Sequence, residues 1–156
     1  MEKKQNDRTV AVNRQVHHEY FVLETLETGI ELVGTEVKSI RNHAVNLKDS
    51  WIDIKDGEMY LLGCHISPYE KGNIFNKDPI RVRRLLAHKK EIRRLLQQIK
   101  TQGYTLIPLS MYFKGSRVKV SVGLCKGKKL YDKRADAAVR SAKRDAERAI
   151  KERNAQ

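Results

Sequence analysis

The side chains best suited to chemistry in this sequence are three lysines grouped around a glycine. Lys126, Lys128 and Lys129 flank Gly127, and Gly123 lies a few residues upstream. Lysine ammonium groups neutralise phosphates, and glycine lets a backbone approach a phosphate closely. The order Lys-Gly-Lys-Lys differs from the phosphate loop of nucleotide-hydrolysing enzymes. The pattern therefore predicts a flexible cationic clamp for nucleic-acid phosphates, while a solvated loop without a ligand remains the alternative.

Groups that perform catalysis are present but are not spaced for it. Ser39, Ser50 and Ser110 lack the flanking glycines of a nucleophile elbow. Cys64 and His65 are adjacent, but no further ligands follow at a metal-binding spacing, so a buried thiol beside a strand-end histidine is expected. The sequence predicts no enzyme, no catalytic residue, no metal and no cofactor. A nuclease whose carboxylates converge only in space stays open as an alternative.

The charge of the chain indicates the class of its partner. The 156 residues include 32 Lys and Arg against 19 Asp and Glu, a net charge of +13. Such an excess favours a polyanion, and nucleic acid ranks ahead of an anionic membrane. Two cysteines make no disulfide framework, no apolar run approaches the ~18 residues of a membrane span, and no signal core follows the polar start. We expect a cytoplasmic protein that binds nucleic acid; a basic protein without such a partner is the plainer alternative.

The first part of the chain is predicted to contain two short strands and a short helix. Residues 20–23 form a β-branched and aromatic run, residues 30–33 are expected to return as a second strand, and a turn is expected between them at Thr28 and Gly29. The helix that follows is expected to begin with Thr35 as its cap, because a hydroxyl can accept a hydrogen bond from a free N–H of the first turn.

Clearer signals of secondary structure lie further along. Asp56-Gly57 between two apolar runs predicts a β-hairpin. Residues 88–102 carry an apolar helical stripe, and Gly103 is placed to end that helix. Pro108 marks an edge or a bulge in the strand material that follows. A last strand is expected to turn its valines inward and its cations outward, and these valines are Val118, Val120 and Val122.

These elements predict a mainly β fold. About six strands with one well-formed helix and one short helix do not alternate as a doubly wound sheet requires. A closed or partly closed antiparallel barrel covers strand edges economically, and the oligonucleotide-binding-like barrel is the obvious member of this class. Periodicity alone leaves a half-open α+β sandwich nearly as likely.

The last 26 residues differ in character from the body. Residues 131–156 contain no Gly, Pro, Leu, Phe or Trp, and a stripe at helical spacing is mostly alanine. So small a stripe buries little area against a core, and an isolated helix of this length is marginal in water. We therefore expect an RNA-binding body at 1–130 and a basic tail at 131–156, which is disordered when free and helical when bound.

Several strings in this sequence resemble the SsrA-binding (small protein B) family. The resemblance covers residues 13–134 in order and with family-like spacing. The strings are GTEVKSIR at 34–41, NLKDS at 46–50, HISPY at 65–69, GN at 72–73, DP at 78–79, RLL at 84–86, GYT at 103–105 and GKKLYDKR at 127–134.

The resemblance implies an RNA-binding protein of trans-translation with an oligonucleotide-binding-like barrel. Members of the family bind the transfer-RNA-like domain of transfer-messenger RNA. They deliver that RNA, with elongation factor Tu and GTP bound to it, to ribosomes stalled without a complete codon. The resemblance further implies a tail that becomes helical in the empty messenger channel. A monomer is expected.

The resemblance also supplies candidate contact residues. Family RNA-binding positions fall on Asn13, Glu27, Leu86 and Lys119. Taken alone, Glu27 is a turn residue before Thr28, Leu86 is a core residue, and Lys119 is solvated. As a contact, Glu27 is expected to accept hydrogen bonds from a base edge or a ribose hydroxyl, because a carboxylate repels phosphate.

Further candidates complete the predicted interface. Lys38 and Arg41 lie on the polar face of the short helix, and Asn73 belongs to a shared string. The hinge motif is expected to contact the decoding centre and the messenger channel of the ribosome through Tyr131, Asp132, Lys133 and Arg134. A rival hypothesis with the same charge and fold is a translation-factor-like barrel that binds ribosomal RNA constitutively.

Overall fold

The computed structural model describes residues 7–71 and 76–154, the side chains of residues 7, 130–133, 136 and 152–154 excepted. The described strands are β1 (Asp7–Val12), β2 (Tyr20–Ile30), β3 (Val45–Asn46), β4 (Trp51–Lys55), β5 (Glu58–Leu62), β6 (His65–Ile66), β7 (Arg83–Leu86), β8 (Thr105–Lys114) and β9 (Arg117–Gly127). The described helices are α1 (Val16–Glu19), α2 (Gly34–Arg41), α3 (Lys89–Gln102) and α4 (Leu130–Asn154).

Six strands close into a ring. Hydrogen-bonded neighbours run in the order β8, β4, β5, β7, β2 and β9, and β9 pairs again with β8. Every pair in the ring is antiparallel. Strand β1 adds to β8 outside the ring, and β3 and β6 form a separate pair. The predicted antiparallel barrel of about six strands is confirmed, because the β8–β9 pairing satisfies the edges that an open sandwich would expose.

Strand β2 differs from its prediction, because it is one strand of 11 residues rather than two strands joined by a turn. Thr28 and Gly29 pair with Val120 and Lys119 of β9. The Thr28 hydroxyl also donates to the Val120 carbonyl at 3.0 Å. The predicted turn at Thr28 and Gly29 is therefore wrong, and Glu27 lies within a strand.

Helix α2 is confirmed, but its cap is not the predicted one. Val33 is the N-cap, and its N–H donates to Oε1 of Glu36 at 3.0 Å. Thr35 already lies inside the first turn of the helix. A carboxylate three residues into the helix thus accepts a hydrogen bond from the N–H of the N-cap residue, as in a capping box.

The strongest local signals are all confirmed. Asp56 and Gly57 have φ angles of 53° and 77° and connect β4 to β5, as a tight hairpin turn requires. Gly103 ends α3 in the left-handed region at φ 70°, and its N–H donates to the Ile99 carbonyl at 3.0 Å. The β8–β9 register shifts after Pro108, which is the expected bulge. The three predicted valines of β9 are buried.

Two buried charged side chains, Glu36 of α2 and Arg83 of β7, form an ion pair that Arg81 extends toward the surface. Arg83 is fully buried and donates to Oε2 of Glu36 at 2.8 Å and to the carbonyls of Cys64 and Pro79 at 2.9 and 3.0 Å. Arg81 donates to the same Glu36 oxygen at 3.0 Å. Burial alone raises the pKa of Glu36, but hydrogen bonds from Arg81, the Val33 N–H and Arg83 outweigh it and hold this pKa below its ordinary value.

Helix α4 begins at the predicted border between body and tail. Its side chains that are described, from residue 134 to residue 151, are all exposed. Val139 and Ile150, the large apolar members of its stripe, are 67% and 55% exposed. The helix therefore gains little from packing against the barrel, and its disorder in the free protein stays a prediction.

Candidate nucleic-acid interface

Three neighbouring strands, β2, β9 and β8, gather polar side chains on the outer face of the barrel. Lys119 on β9 pairs with Gly29 on β2 and with Tyr112 on β8. The Tyr112 hydroxyl donates to one oxygen of Glu27, and the Lys114 ammonium lies 3.1 Å from the other. The Glu27 side chain is 40% exposed. Since a carboxylate has about four acceptor sites, two protein donors leave room for a ligand.

The charge of Glu27 is fixed by its neighbours. The hydrogen bond from Tyr112 lowers the pKa of Glu27 by more than desolvation raises it, and Lys114 and Lys119 lower this pKa further. The carboxylate therefore stays ionised at neutral pH and can only accept hydrogen bonds. This chemistry suits a base amino group or a ribose hydroxyl rather than a phosphate.

Leu86 joins the same surface through Gly29. The two residues pair between β7 and β2, and a Cβ on Gly29 would lie 3.3 Å from the Leu86 Cβ. Leu86 is 43% exposed, so it is not the core residue that leucine usually is. Surface hollows of about 350 and 500 Å³ both include Gly29, Leu86 and Lys119 in their walls. The fold thus brings together three predicted contacts, Glu27, Leu86 and Lys119.

The two predicted cations of α2 contact aromatic rings. The Lys38 ammonium lies 5.4 Å from the centre of the Tyr69 ring. The Arg41 guanidinium lies 6.0 Å from the centre of the Phe113 ring. Cation–π contacts of this kind orient the ammonium or guanidinium group while leaving it able to contact a phosphate. Both residues remain candidates as phosphate contacts.

The lysines at the far end of β9 form a second group. Lys126 lies seven residues from Lys119, roughly 23 Å along an extended strand. The predicted flexible loop is wrong, because β9 continues to Gly127 and Lys126 pairs with Phe21 of β2. Gly123 serves packing instead: a Cβ there would come within 2.8 Å of the Leu109 side chain.

Lys128 is bound within the protein. Its N–H donates to the Glu19 carbonyl at 2.9 Å, and its ammonium donates to the His17 carbonyl at 2.6 Å. The ammonium also lies 4.8 Å from the centre of the Phe21 ring. These contacts tie the root of α4 to α1 and β2. Lys126 and Lys129 are exposed and better placed for RNA.

Asn13 lies at this same end of the barrel. It is 8% exposed, its N–H donates to the Leu109 carbonyl at 2.8 Å, and its side-chain amide donates to the Pro108 carbonyl at 3.1 Å. These bonds give Asn13 a structural role beside its predicted contact with RNA. Asn73 lies outside the described residues. Among the hinge residues, the side chain of Arg134 is described and exposed, whereas those of Tyr131, Asp132 and Lys133 are not described.

The sequence reasoning missed several partners. Arg83 stands in a basic stretch with Arg81 and Arg84, yet its alternation with Arg84 and Leu86 along β7 places it on the core face beside Leu85. Half-buried Arg84 forms ion pairs with Glu31 at 2.9 Å and with Glu58 at 3.0 Å. Tyr112 and Lys114 alternate with buried residues of β8, a pattern that could have revealed them as outward-facing neighbours of Lys119.

The described residues offer little for catalysis. No group of three or more potential metal ligands occurs among them. Cys64 and Cys125 are buried, and desolvation raises the pKa of both thiols to about 11, so neither is a ready nucleophile.

No helix in the described part of the chain is both long and apolar enough to cross a membrane.

A closed antiparallel barrel with a cationic, hydrogen-bonding outer face defines a protein of the oligonucleotide-binding type. The model of the SmpB protein family matches residues 10–152. The chain belongs to the SmpB family.

Known relatives agree over nearly the whole chain. An SsrA-binding protein of Clostridium beijerinckii is 57% identical over 154 residues, which are 99% of each chain. An SsrA-binding protein of Clostridium kluyveri is 58% identical over 150 residues, 96% of each chain. A solved structure described as "tmRNA-SmpB: a journey to the center of the bacterial ribosome" is 47% identical, has a TM-score of 0.65, and overlaps 79% of this chain and 90% of its own.

Proposed function

We propose that this chain binds the transfer-RNA-like domain of transfer-messenger RNA and delivers it to stalled ribosomes for trans-translation. The observation that carries the proposal is full-length similarity to SsrA-binding proteins, at 57% identity over 99% of both chains. The clustering of Glu27, Leu86 and Lys119 on one face supports it, because a base-reading carboxylate, an apolar surface and a cation suit a folded RNA better than a bare polyanion.

The two parts of the chain take different roles in this proposal. The barrel holds the RNA through Glu27, Leu86, Lys119 and the flanking cations. The tail enters the empty messenger channel, with the hinge residues 131–134 at the decoding centre. Elongation factor Tu with GTP joins through the RNA, and the protein acts as a monomer by binding alone, without catalysis.

The RNA that co-purifies with the protein tests the proposal directly. We expect sequencing to find one transfer-messenger RNA as the main species. Mostly ribosomal RNA would instead support a barrel that binds the ribosome constitutively. A chain ending at residue 130 should bind the transfer-RNA-like domain about as well as the full chain, with log affinity falling by about 0.7–0.9 per log unit of salt for each phosphate neutralised. Loss of RNA binding on this truncation would contradict the division of roles.

The hinge gives a second test. Alanine at Asp132, Lys133 and Arg134 together is expected to leave RNA capture intact and to block peptidyl transfer to the alanyl RNA on stalled ribosomes. A reconstituted reaction measures both steps in one sample. The matched control replaces Lys143, Arg144 and Asp145 by alanine, which changes net charge equally farther along the helix. Normal transfer with the hinge variant would refute the role of these residues.

A further inference from the structure

We propose that the hollow beside Trp51 binds one unstacked nucleobase of RNA, at the end of the barrel opposite the Glu27–Lys119 surface. This inference rests on the proposed RNA-binding function and adds a subsite to it. The hollow has a volume of about 410 Å³, and its walls include Trp51, Tyr20, Asn13, Gln15 and Asp49.

The aromatic wall is the first element of the argument. Trp51 begins β4, and one edge of its indole lies against Gly63, where a Cβ would come within 2.9 Å of the ring. The residue is nevertheless 49% exposed. An indole that is held from one side and open on the other offers a stacking surface for a base, and the partly buried Tyr20 lines the same hollow.

Hydrogen-bond acceptors form the second element. The Asn13 amide donates its NH₂ to the Pro108 carbonyl, which fixes the orientation of the amide and leaves Oδ1 as an acceptor. Asp49 adds a carboxylate to the wall, and its backbone is held in the left-handed region at φ 62°. Acceptors of this kind suit a base with an exocyclic amino group, so cytosine and adenine are favoured over uracil.

The charges around the hollow complete the site. Exposed Arg14 lies between the lining residues Asn13 and Gln15, and exposed Lys48 precedes Asp49. Tyr20 pairs with Gly127, which places exposed Lys126 next to that pair in the sheet. The Asp49 carboxylate in the wall repels phosphate, and the cations that neighbour the lining residues in sequence or in the sheet attract it, so a nucleotide would insert its base and leave its phosphates outside.

Trp51 is the sole tryptophan of the chain, so its fluorescence reports on this one position. We expect hexacytidylate and the transfer-RNA-like domain to quench Trp51 emission in the full-length protein. Hexauridylate should bind about tenfold more weakly than hexacytidylate. Unchanged Trp51 emission at saturating hexacytidylate would overturn the proposal.

Variants separate stacking from mere packing. Measured with a fluorescein-labelled hexacytidylate, Trp51→Leu should weaken binding by about tenfold, whereas Trp51→Phe, which can still stack, should stay within about twofold. Ile80→Ala removes an exposed apolar side chain outside the hollow and is expected to change nothing. Asp49→Asn should reduce the preference for cytidylate over uridylate, and an unchanged preference would contradict the role of the carboxylate.

The outcome is distinguishable from failure of the proposed function. Suppose that the transfer-RNA-like domain binds Trp51→Leu as tightly as it binds the original chain, and that it leaves Trp51 emission of the original chain unchanged. The base site is then wrong, and the RNA-binding function stands. If the original chain does not bind that domain, the proposed function itself fails.

Discussion

The barrel and helix α4 carry positive charge in opposite structural settings. In the barrel, exposed Arg117 and half-buried Lys119 alternate with the buried valines of β9, a strand that the closed ring holds in place, and Glu27 is oriented by Tyr112 and Lys114. In α4, the described side chains from residue 134 to residue 151 face solvent on every side of the helix. The barrel surface is therefore held in place by the fold, whereas α4 gains little from packing on the barrel, and we predict that its order depends on what surrounds it.

Under the proposed function, this difference would let one small chain serve two kinds of RNA site. A preformed surface loses little conformational entropy on binding and can recognise a defined RNA fold. A segment that orders on binding loses more, but it can fit a long channel that a rigid barrel could not enter. The contrast predicts that the same kinds of substitution have very different effects in the two parts.

The largest effect is expected at the buried ion pair of the barrel. Glu36→Gln leaves fully buried Arg83 without its carboxylate, which should cost about 3–5 kcal/mol of unfolding free energy. Glu31→Gln removes an exposed partner of Arg84 and should hardly move the denaturation midpoint. Urea denaturation followed by circular dichroism measures both variants. Equal losses would show that burial of the pair contributes nothing.

The same ion pair makes the unfolding free energy of the barrel depend on pH. Because the folded protein holds the pKa of Glu36 below its ordinary value of 4.5, the unfolded chain takes up a proton first as pH falls. The stabilisation is therefore complete above pH 4.5 and is lost as pH falls through the lower folded pKa. Denaturation between neutral and acidic pH should show this loss, and Glu36→Gln should show less of it. An identical pH slope in both proteins would contradict the assignment.

The next effect concerns RNA affinity. Glu27→Ala should weaken binding of the transfer-RNA-like domain by ~1–3 kcal/mol, because it removes an acceptor and releases Tyr112 and Lys114. Glu24→Ala is the matched control, since Glu24 lies on the same strand, is 39% exposed and also pairs with a cation, Arg94. Simple electrostatics predicts tighter binding for both variants, so calorimetric titration at matched salt separates the mechanisms. Tighter binding by Glu27→Ala would return Glu27 to a structural role.

A smaller effect is expected where the two parts meet. Lys128→Met removes the hydrogen bond to the His17 carbonyl and the contact with the Phe21 ring. The backbone amide of residue 128 should then exchange hydrogen about tenfold faster, which corresponds to the free energy of one lost charged hydrogen bond. Lys129→Met keeps those contacts and serves as the control. Hydrogen exchange followed by nuclear magnetic resonance measures the amide of residue 128 in both variants. Equal exchange in the two variants would show that Lys128 does not hold the root of the tail.

The smallest effect should occur within α4. Ile150→Ala is expected to change the unfolding free energy of the barrel by less than about 0.5 kcal/mol, because Ile150 is exposed. Leu61→Ala in the fully buried core should cost about 2–5 kcal/mol. Thermal denaturation compares the two variants. A large loss for Ile150→Ala would mean that the tail packs on the barrel in solution.

Local patterns in the sequence were enough to predict much of the barrel. The Asp56-Gly57 turn, the end of α3 at Gly103 and the inward valines of β9 depend on a few neighbouring residues, and all are confirmed. The sequence also predicts the division between body and tail, because a stripe of alanines buries too little area to hold a helix against the barrel, and this division stays a prediction. The family resemblance added the candidate contacts, which composition and periodicity alone would have missed.

Tertiary structure decided those features that depend on pairing between residues distant in the chain. Thr28 and Gly29 resemble a turn, but β9 supplies ladder partners about 90 residues away, and these pairings keep both residues within β2. Arg83 has the sequence character of a surface charge, but Glu36, 47 residues earlier, pairs with it and offsets the desolvation cost of its burial. Glu27, Leu86 and Lys119 become one surface because Gly29 allows close approach, a relation that exists only once β7, β2 and β9 lie side by side.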